Sequence, residues 1–268
     1  MRNSAVTVTR RRVTMTLTYG DDENQRADLH LPAGSSRDLP IVVVLHGGFW
    51  RARYGYSLGT PLAADLADRG WAAWNLEYRR VGGGGGWPAT FTDVAAGIDA
   101  LATVAQPAAG GRLDLSTVVA IGHSAGGHLA LWAAGRGDLP VGAPSAAPRV
   151  ALCGAVSQAG VADLVRAAED RLGGGAAIAL LGGTPAEHPD RYALADPASH
   201  APLDVPVALV HGEADGIVPI SQSERYAARG GDVRFTRLPG VGHFELIDPT
   251  TPAWEACRRH LEGLVDGR

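Results

Sequence analysis

The sequence predicts an α/β domain built on a mostly parallel sheet with helices on both faces. Three observations carry this expectation. Short apolar runs recur, beginning with Ile41-Val42-Val43-Val44-Leu45, and a continuous β-branched run marks a strand buried on both faces. Stretches with helical apolar spacing lie between those runs, and strand–helix alternation builds parallel sheets. One run, Val118 to Ile121, leads through Gly122-His123-Ser124-Ala125-Gly126 directly into a helical stretch.

Taken in order, the chain opens with alternation. Val6 and Val8, then Val13, Met15 and Leu17, read as two strands, and Ala27 to Leu31 as a third. Pro32-Ala33-Gly34-Ser35-Ser36 closes that strand as a turn. Buried strands are expected at Ile41–Leu45, Trp71–Leu76, Val118–Ile121, Val150–Val156 and Val205–Val210, with a last strand at Val233–Leu238. Helices are expected at Leu58–Arg69, Phe91–Val104 and Ala125–Ala134, around Tyr226, and at Trp254–Val265. Almost fifty residues separate the strand ending near Val156 from the one starting near Val205. That is too long for a plain crossover, so a helix plus a lid-like segment is expected at about 158–204, within a single domain spanning 1–268.

Composition bounds the chemistry. All 24 cationic side chains are arginine, against 28 carboxylates. A chain without lysine has no Schiff-base lysine, no P-loop lysine and no Ser-Lys dyad, and arginine cannot act as the base instead. The formal net charge of −4 gives no electrostatic footprint for nucleic acid. Cys153 and Cys257 form no metal motif and no disulfide framework. The first twenty residues hold no continuous apolar h-region, and no stretch approaches a membrane span. A cytoplasmic protein without cofactor, metal, membrane or nucleic-acid partner is the expectation. The run Gly82 to Gly86 is not a phosphate loop, because no strand–helix junction frames it and no lysine follows.

The segment Gly122-His123-Ser124-Ala125-Gly126 matches the G-x-S-x-G nucleophile elbow in its required strand–turn–helix context. Its glycines suit a strained turn with close backbone neighbours, and the helix N-terminus behind Ser124 favours a developing oxyanion. Gly55-Tyr56-Ser57-Leu58-Gly59 fits the same pattern but follows a polar loop, so Ser57 is read as the cap of the helix starting at Leu58. His46-Gly47-Gly48-Phe49-Trp50 follows the first buried strand and offers backbone N–H groups to an oxyanion. The chain order for such a site is Ser, then Asp or Glu, then His. His243, in the glycine-containing loop Gly240-Val241-Gly242-His243-Phe244 after the last strand, is the candidate base. Asp215, after the strand ending at Val210, is the candidate orienting acid, with Glu213 as the nearest rival. Asp204 lies at the wrong end of its strand, and Asp248 is more distant in sequence. His123, His128 and His211 read as packing or hydrogen-bonded residues near the site. Arg79 and Asp93 read as a salt bridge pinning the glycine-rich loop.

These motifs together resemble the α/β-hydrolases of esterase/lipase type. The resemblance runs from His46-Gly47-Gly48 through Tyr78-Arg79, Pro88-Ala89 with Asp93, Gly122 to His128, and Asp215 with Val218-Pro219, to His243. It implies an α/β-hydrolase fold, with an eight-stranded mostly parallel sheet and the triad Ser124, His243 and Asp215 on loops at the strand C-termini. It also implies oxyanion donors from the N–H of Ala125 and from Gly48 or Phe49. The His-Gly-Gly-aromatic-Trp form is similar to that of kynurenine formamidases, as is Gln158 to Leu164, which also looks like the matching segment of small acetyl esterases. The expected function is a cofactor-free serine hydrolase acting on a small-molecule ester, with arylformamidase (a formamide substrate) as the alternative. A non-catalytic binding protein and a biosynthetic acyltransferase are the more distant readings. Trp50, Trp87 and Phe49 are candidate substrate-pocket walls, each equally able to be core.

Overall fold

The computed structural model describes residues 12–267. The strand expected at Val6 and Val8 lies outside them. The strands are β1 (Val13–Thr18), β2 (Arg26–Leu31), β3 (Leu39–Leu45), β4 (Ala72–Leu76), β5 (Leu113–His123), β6 (Gly154–Gln158), β7 (Val207–Gly212) and β8 (Val233–Leu238). They form one sheet in the order β1-β2-β4-β3-β5-β6-β7-β8. The β1–β2 and β2–β4 pairs are antiparallel, and every pair from β4 through β3 to β8 is parallel. The expected eight-stranded, mostly parallel sheet is therefore present.

The helices are α1 (Thr60–Asp68), α2 (Ala89–Ala100), α3 (Gln106–Ala108), α4 (Ala125–Ala134), α5 (Leu164–Glu169), α6 (Leu172–Leu181), α7 (Pro189–Ala195), α8 (Pro197–His200), α9 (Ser221–Ala227) and α10 (Pro252–Asp266). A widened π-turn, Leu101–Ala105, joins α2 to α3. None of these helices is long and apolar enough to cross a membrane.

Strand β3 shows why the continuous run was informative. Ile41, Val43 and Leu45 point into one core cluster with Phe91, Val94 and Ile98 of α2 and Leu129 of α4. Val42 and Val44 point into the opposite cluster with Leu62 and Leu66 of α1 and Trp254, Cys257 and Leu261 of α10. The period of two thus buries both faces of the strand.

The segment between β6 and β7 folds as the four short helices α5 to α8. Their apolar residues, among them Leu164, Leu180, Tyr192 and Ala195, join the core cluster of β3 and α4. Asp163 caps α5 by accepting the N–H of Arg166 at 2.8 Å. The glycine patch inside α6, Gly173 to Gly175, is left-handed throughout and kinks it.

Two expectations about polar groups resolve here. Asp93 takes Arg79 Nε at 2.8 Å and Arg79 Nη2 at 2.7 Å, and Gln25 Nε2 at 2.8 Å, so the buried carboxylate is fully partnered. Ser57 is not a helix cap. It lies inside a 3₁₀ turn, Tyr56–Leu58, and α1 begins at Thr60 with Gly59 as N-cap and no side-chain cap bond. Pro61 in the first turn pre-sets the helical backbone there, which leaves Ser57 upstream of the helix.

Candidate functional site

Ser124 sits between the end of β5 and the start of α4, with φ 56° and ψ −116°. That is a strained backbone for a serine. Packing on both sides dictates it. A Cβ at Gly122 would lie 2.0 Å from the Gly126 carbonyl oxygen, and one at Gly126 would lie 2.0 Å from the Leu45 carbonyl oxygen. Only glycine at both positions lets α4 pass this close to β3 and β5. The Ser124 N–H donates to the Gln158 carbonyl at 2.8 Å, tying the turn to the end of β6.

Asp215 follows β7. Its Oδ1 accepts the N–H groups of Ile217 at 2.8 Å and Val218 at 2.9 Å. Its Oδ2 takes His243 Nδ1 at 2.6 Å. His211 Nε2 lies 3.4 Å from the same oxygen while donating to the Val218 carbonyl at 2.9 Å. Burial alone would raise the Asp215 carboxyl, but the hydrogen bonds from His211, His243, Ile217 and Val218 outweigh it and hold the group well below the usual carboxylate range. The rivals do not reach His243. Glu213 is exposed, with its N–H on the Leu238 carbonyl, and Asp204 and Asp248 are exposed elsewhere.

Ser124, His243, Gly48 and Phe49 open onto one cavity of about 170 Å³. The oxyanion-loop candidates are left-handed, with φ of 110° at Gly48, 51° at Phe49 and 54° at Trp50. A Cβ at Gly48 would lie 2.5 Å from the Tyr54 side chain, so this glycine is required by the fold of the loop. Ala125 is the first residue of α4, where backbone N–H groups lack an intrahelical partner. Among the described residues no protein acceptor takes the N–H of Ala125 or Phe49.

The aromatic walls differ from expectation. Trp50 is 1% exposed and does not line the cavity. The left-handed turn at Phe49 and Trp50 turns its ring under the loop, edge-on to His128 at 5.2 Å. Trp87 packs edge-on to Phe91 at 5.2 Å, its backbone N–H donating to the Leu180 carbonyl, and it too lies off the cavity. Phe49 does line it. The other apolar walls are Tyr54, Leu58, Ile217, Phe244 and Ile247. Sequence reasoning missed these. Phe244 and Ile217 lie within two residues of His243 and Asp215, Tyr54 immediately precedes the second G-x-S-x-G match and Leu58 lies inside it, so proximity to motifs was the available signal.

Residues 27–229 match the BD-FAE family over more than half of the chain. The chain belongs to the BD-FAE family. This BD-FAE chain is 29% identical over 263 residues to esterase LipC of Mycobacterium tuberculosis, covering 90% of itself and 61% of LipC. It is 31% identical over 123 residues to the kynurenine formamidase of Danio rerio, covering 45% of itself and 39% of that protein. The chain thus spans about three fifths or less of the length of these relatives. A solved truncated carbohydrate esterase from gut microbiota superposes with a TM-score of 0.80 at 22% identity, over 95% of this chain and 96% of that one. The BD-FAE chain therefore has the α/β-hydrolase fold, of the esterase type, that its motifs resemble.

His123 and His128 complete the surroundings of this BD-FAE site. His123 Nε2 donates to the His243 carbonyl at 2.9 Å, and its ring centroid lies 4.4 Å from that of His243. Burial, then the neighbouring His243, push the His123 imidazole down to about 3, so the ring is neutral. His128 Nε2 donates to the Ala195 carbonyl at 2.9 Å, joining α4 to α7.

Proposed function

We propose that this chain is a serine hydrolase that cleaves small carboxylic esters through an acyl-enzyme. One observation carries the reading. The Asp215–His243 pair, closed at 2.6 Å, opens onto the same cavity as Ser124, which stands on a strained strand-to-helix turn. Ser124 Oγ attacks the ester carbonyl while His243 Nε2 takes its proton. His243 then returns that proton to the leaving alcohol, and water repeats the sequence on the acyl-enzyme. Asp215 keeps the ring proton on Nδ1 and stabilises the imidazolium. The N–H of Ala125 and that of Gly48 or Phe49 are the donors for the oxyanion. The esterase names of LipC and of the carbohydrate esterase support the same reaction class.

The kynurenine formamidase relative keeps formamide hydrolysis as the second reading, because the acyl chemistry is shared. The cavity favours the ester. Among the described residues lining it there is no carboxylate and no guanidinium to receive a zwitterionic amino acid. The test sets wild type beside Ser124→Ala on 4-nitrophenyl acetate, 4-nitrophenyl butyrate and N-formylkynurenine. The expected result is a loss of about 10⁴-fold or more in Ser124→Ala, with esters turned over faster than the formamide. Undiminished turnover in that variant overturns the mechanism. Serine-dependent preference for the formamide moves the assignment to arylformamidase.

A further inference from the structure

Asp215 holds the His243 side chain, but His243 stands on a loop between β8 and α10 that enters through Gly240 at φ 71° and Gly242. What holds its backbone at a fixed distance from Ser124? Two buried side chains reach into this loop from the sheet. His123 Nε2 donates to the carbonyl of His243 itself, at 2.9 Å. Gln158 Nε2 donates to the Leu246 carbonyl at 2.6 Å. The two residues are 6% and 1% exposed, so water does not compete for these bonds.

Both donors also hold the nucleophile. His123 is the residue before Ser124, at the end of β5, and the Gln158 carbonyl accepts the Ser124 N–H at 2.8 Å. The strands carrying them are neighbours, with His123 opposite Gln158 in the β5–β6 register. The same pair of residues therefore touches the serine turn on one side and the histidine loop on the other.

We propose that His123 and Gln158 are positioning residues, which together fix the His243 backbone relative to Ser124 and so set the Ser124–His243 geometry. The inference rests on the assignment of Ser124, His243 and Asp215 as the triad. It differs from that assignment because neither residue is given a nucleophilic or proton-transfer role, His123 bordering the cavity only through the ring that packs on His243. A ring donor at position 123 suits this place for a second reason. A neutral imidazole packed 4.4 Å from His243 adds no cation next to the one that forms on His243 during turnover. Proton transfer demands close alignment, and a displacement of about 1 Å costs on the order of 10²-fold in rate.

The test measures kcat, KM and Tm on 4-nitrophenyl acetate for wild type, His123→Phe, His123→Gln, Gln158→Met and Ser124→Ala. His123→Phe keeps a ring but removes the N–H. It is expected to lower kcat by about 10- to 100-fold, with KM changed less than about threefold. His123→Gln places an amide N–H at similar reach and is expected to recover kcat to within about fivefold of wild type. Gln158→Met removes the second donor at similar volume and is expected to lower kcat by a similar factor; it carries the test alone if His123→Phe fails to fold. Wild-type kcat in His123→Phe or in Gln158→Met, or His123→Gln as impaired as His123→Phe, overturns the proposal. Ser124→Ala separates the two levels. If it keeps turnover, the triad assignment fails. If it is inactive while His123→Phe runs at the wild-type rate, only the positioning role fails.

Discussion

Asp215→Asn is the most searching perturbation of the site, because the structure dictates which way the new amide faces. Oδ1 of Asp215 accepts two backbone N–H groups, Ile217 at 2.8 Å and Val218 at 2.9 Å. Only the amide oxygen of an asparagine can replace it there. The flipped orientation would leave two buried N–H groups facing an NH₂, at about 1–3 kcal/mol each. The NH₂ therefore faces His243 Nδ1, which must then accept rather than donate. A neutral imidazole holding that arrangement carries its proton on Nε2 and has no lone pair for the Ser124 hydroxyl. The expected loss is about 10⁴-fold in kcat, equivalent to about 5 kcal/mol of transition-state stabilisation. The fold is expected to survive, since both backbone bonds to position 215 are retained. The assay is kcat on 4-nitrophenyl acetate at neutral pH, with thermal unfolding as the control. A variant with intact Tm and kcat within tenfold of wild type would refute the reasoning, because His243 would then need no acceptor at Nδ1.

Ser124→Gly relieves the left-handed backbone at φ 56°, worth about 1–3 kcal/mol, against about 0.5–1 kcal/mol of glycine entropy, so its Tm is expected to exceed that of Ser124→Ala by about 2–4 °C in differential scanning calorimetry. A lower Tm for the glycine variant would mean that the turn carries no strain. Burial raises the Asp196 carboxyl to about 6, with the Asp163 charge adding to it and bonds from the Leu164 and Ala198 N–H groups opposing it. The folded state thus holds a proton that the unfolded chain releases. This contribution is complete below about pH 4 and is lost as pH rises through about 6, up to about 3 kcal/mol in all. Asp196→Asn keeps both N–H acceptors and is expected to raise Tm at pH 8 but not at pH 4; equal shifts at both would contradict the assignment. Leu58→Trp fills part of the cavity of about 170 Å³ and is expected to lower the butyrate-to-acetate rate ratio by about tenfold, while an unchanged ratio would place the acyl group elsewhere.

The inner parallel strands were legible because they are buried on both faces and so read as largely apolar runs, whereas the edge strand β8 is only partly buried and carries Arg234 and Arg237. The register of Ile41, Val43 and Leu45 against Val42 and Val44 is the clearest case. The residues drawn together around Ser124 were legible because each stands at a strand end with glycines beside it. The cavity wall was not. Tyr54, Leu58, Ile217, Phe244 and Ile247 come from separate loops that only the topology assembles, and no local period marks them. Trp50 misled for a related reason. Its burial follows from left-handed φ values at two successive bulky residues, Phe49 and Trp50, and nothing in local propensity announces that conformation. Ser57 misled because a 3₁₀ turn followed by Pro61 moved the helix start two residues beyond the expected one.

Those left-handed residues also explain why the site can be rigid. Phe49, Trp50, Ser124 and Ala159 have φ between 46° and 56°, and all lie just beyond the C-terminal ends of β3, β5 and β6. Each costs on the order of 1–3 kcal/mol, so the loops would relax if they were free. They are not free. The Trp50 carbonyl accepts Val81 N–H at 2.8 Å, the Ser124 N–H is held by Gln158, and the Ala159 N–H donates to Val210 at 2.9 Å. Every anchor is a neighbouring strand end or the segment following β4, so the sheet itself bears the strain. Backbone dipoles fixed this way need not reorganise when charge develops on a bound carbonyl, and that is the condition under which an oxyanion donor contributes most. The same anchoring predicts where tolerance ends: a substitution that shifts β3 against β5 moves the candidate oxyanion loop and the nucleophile together, even when it touches neither.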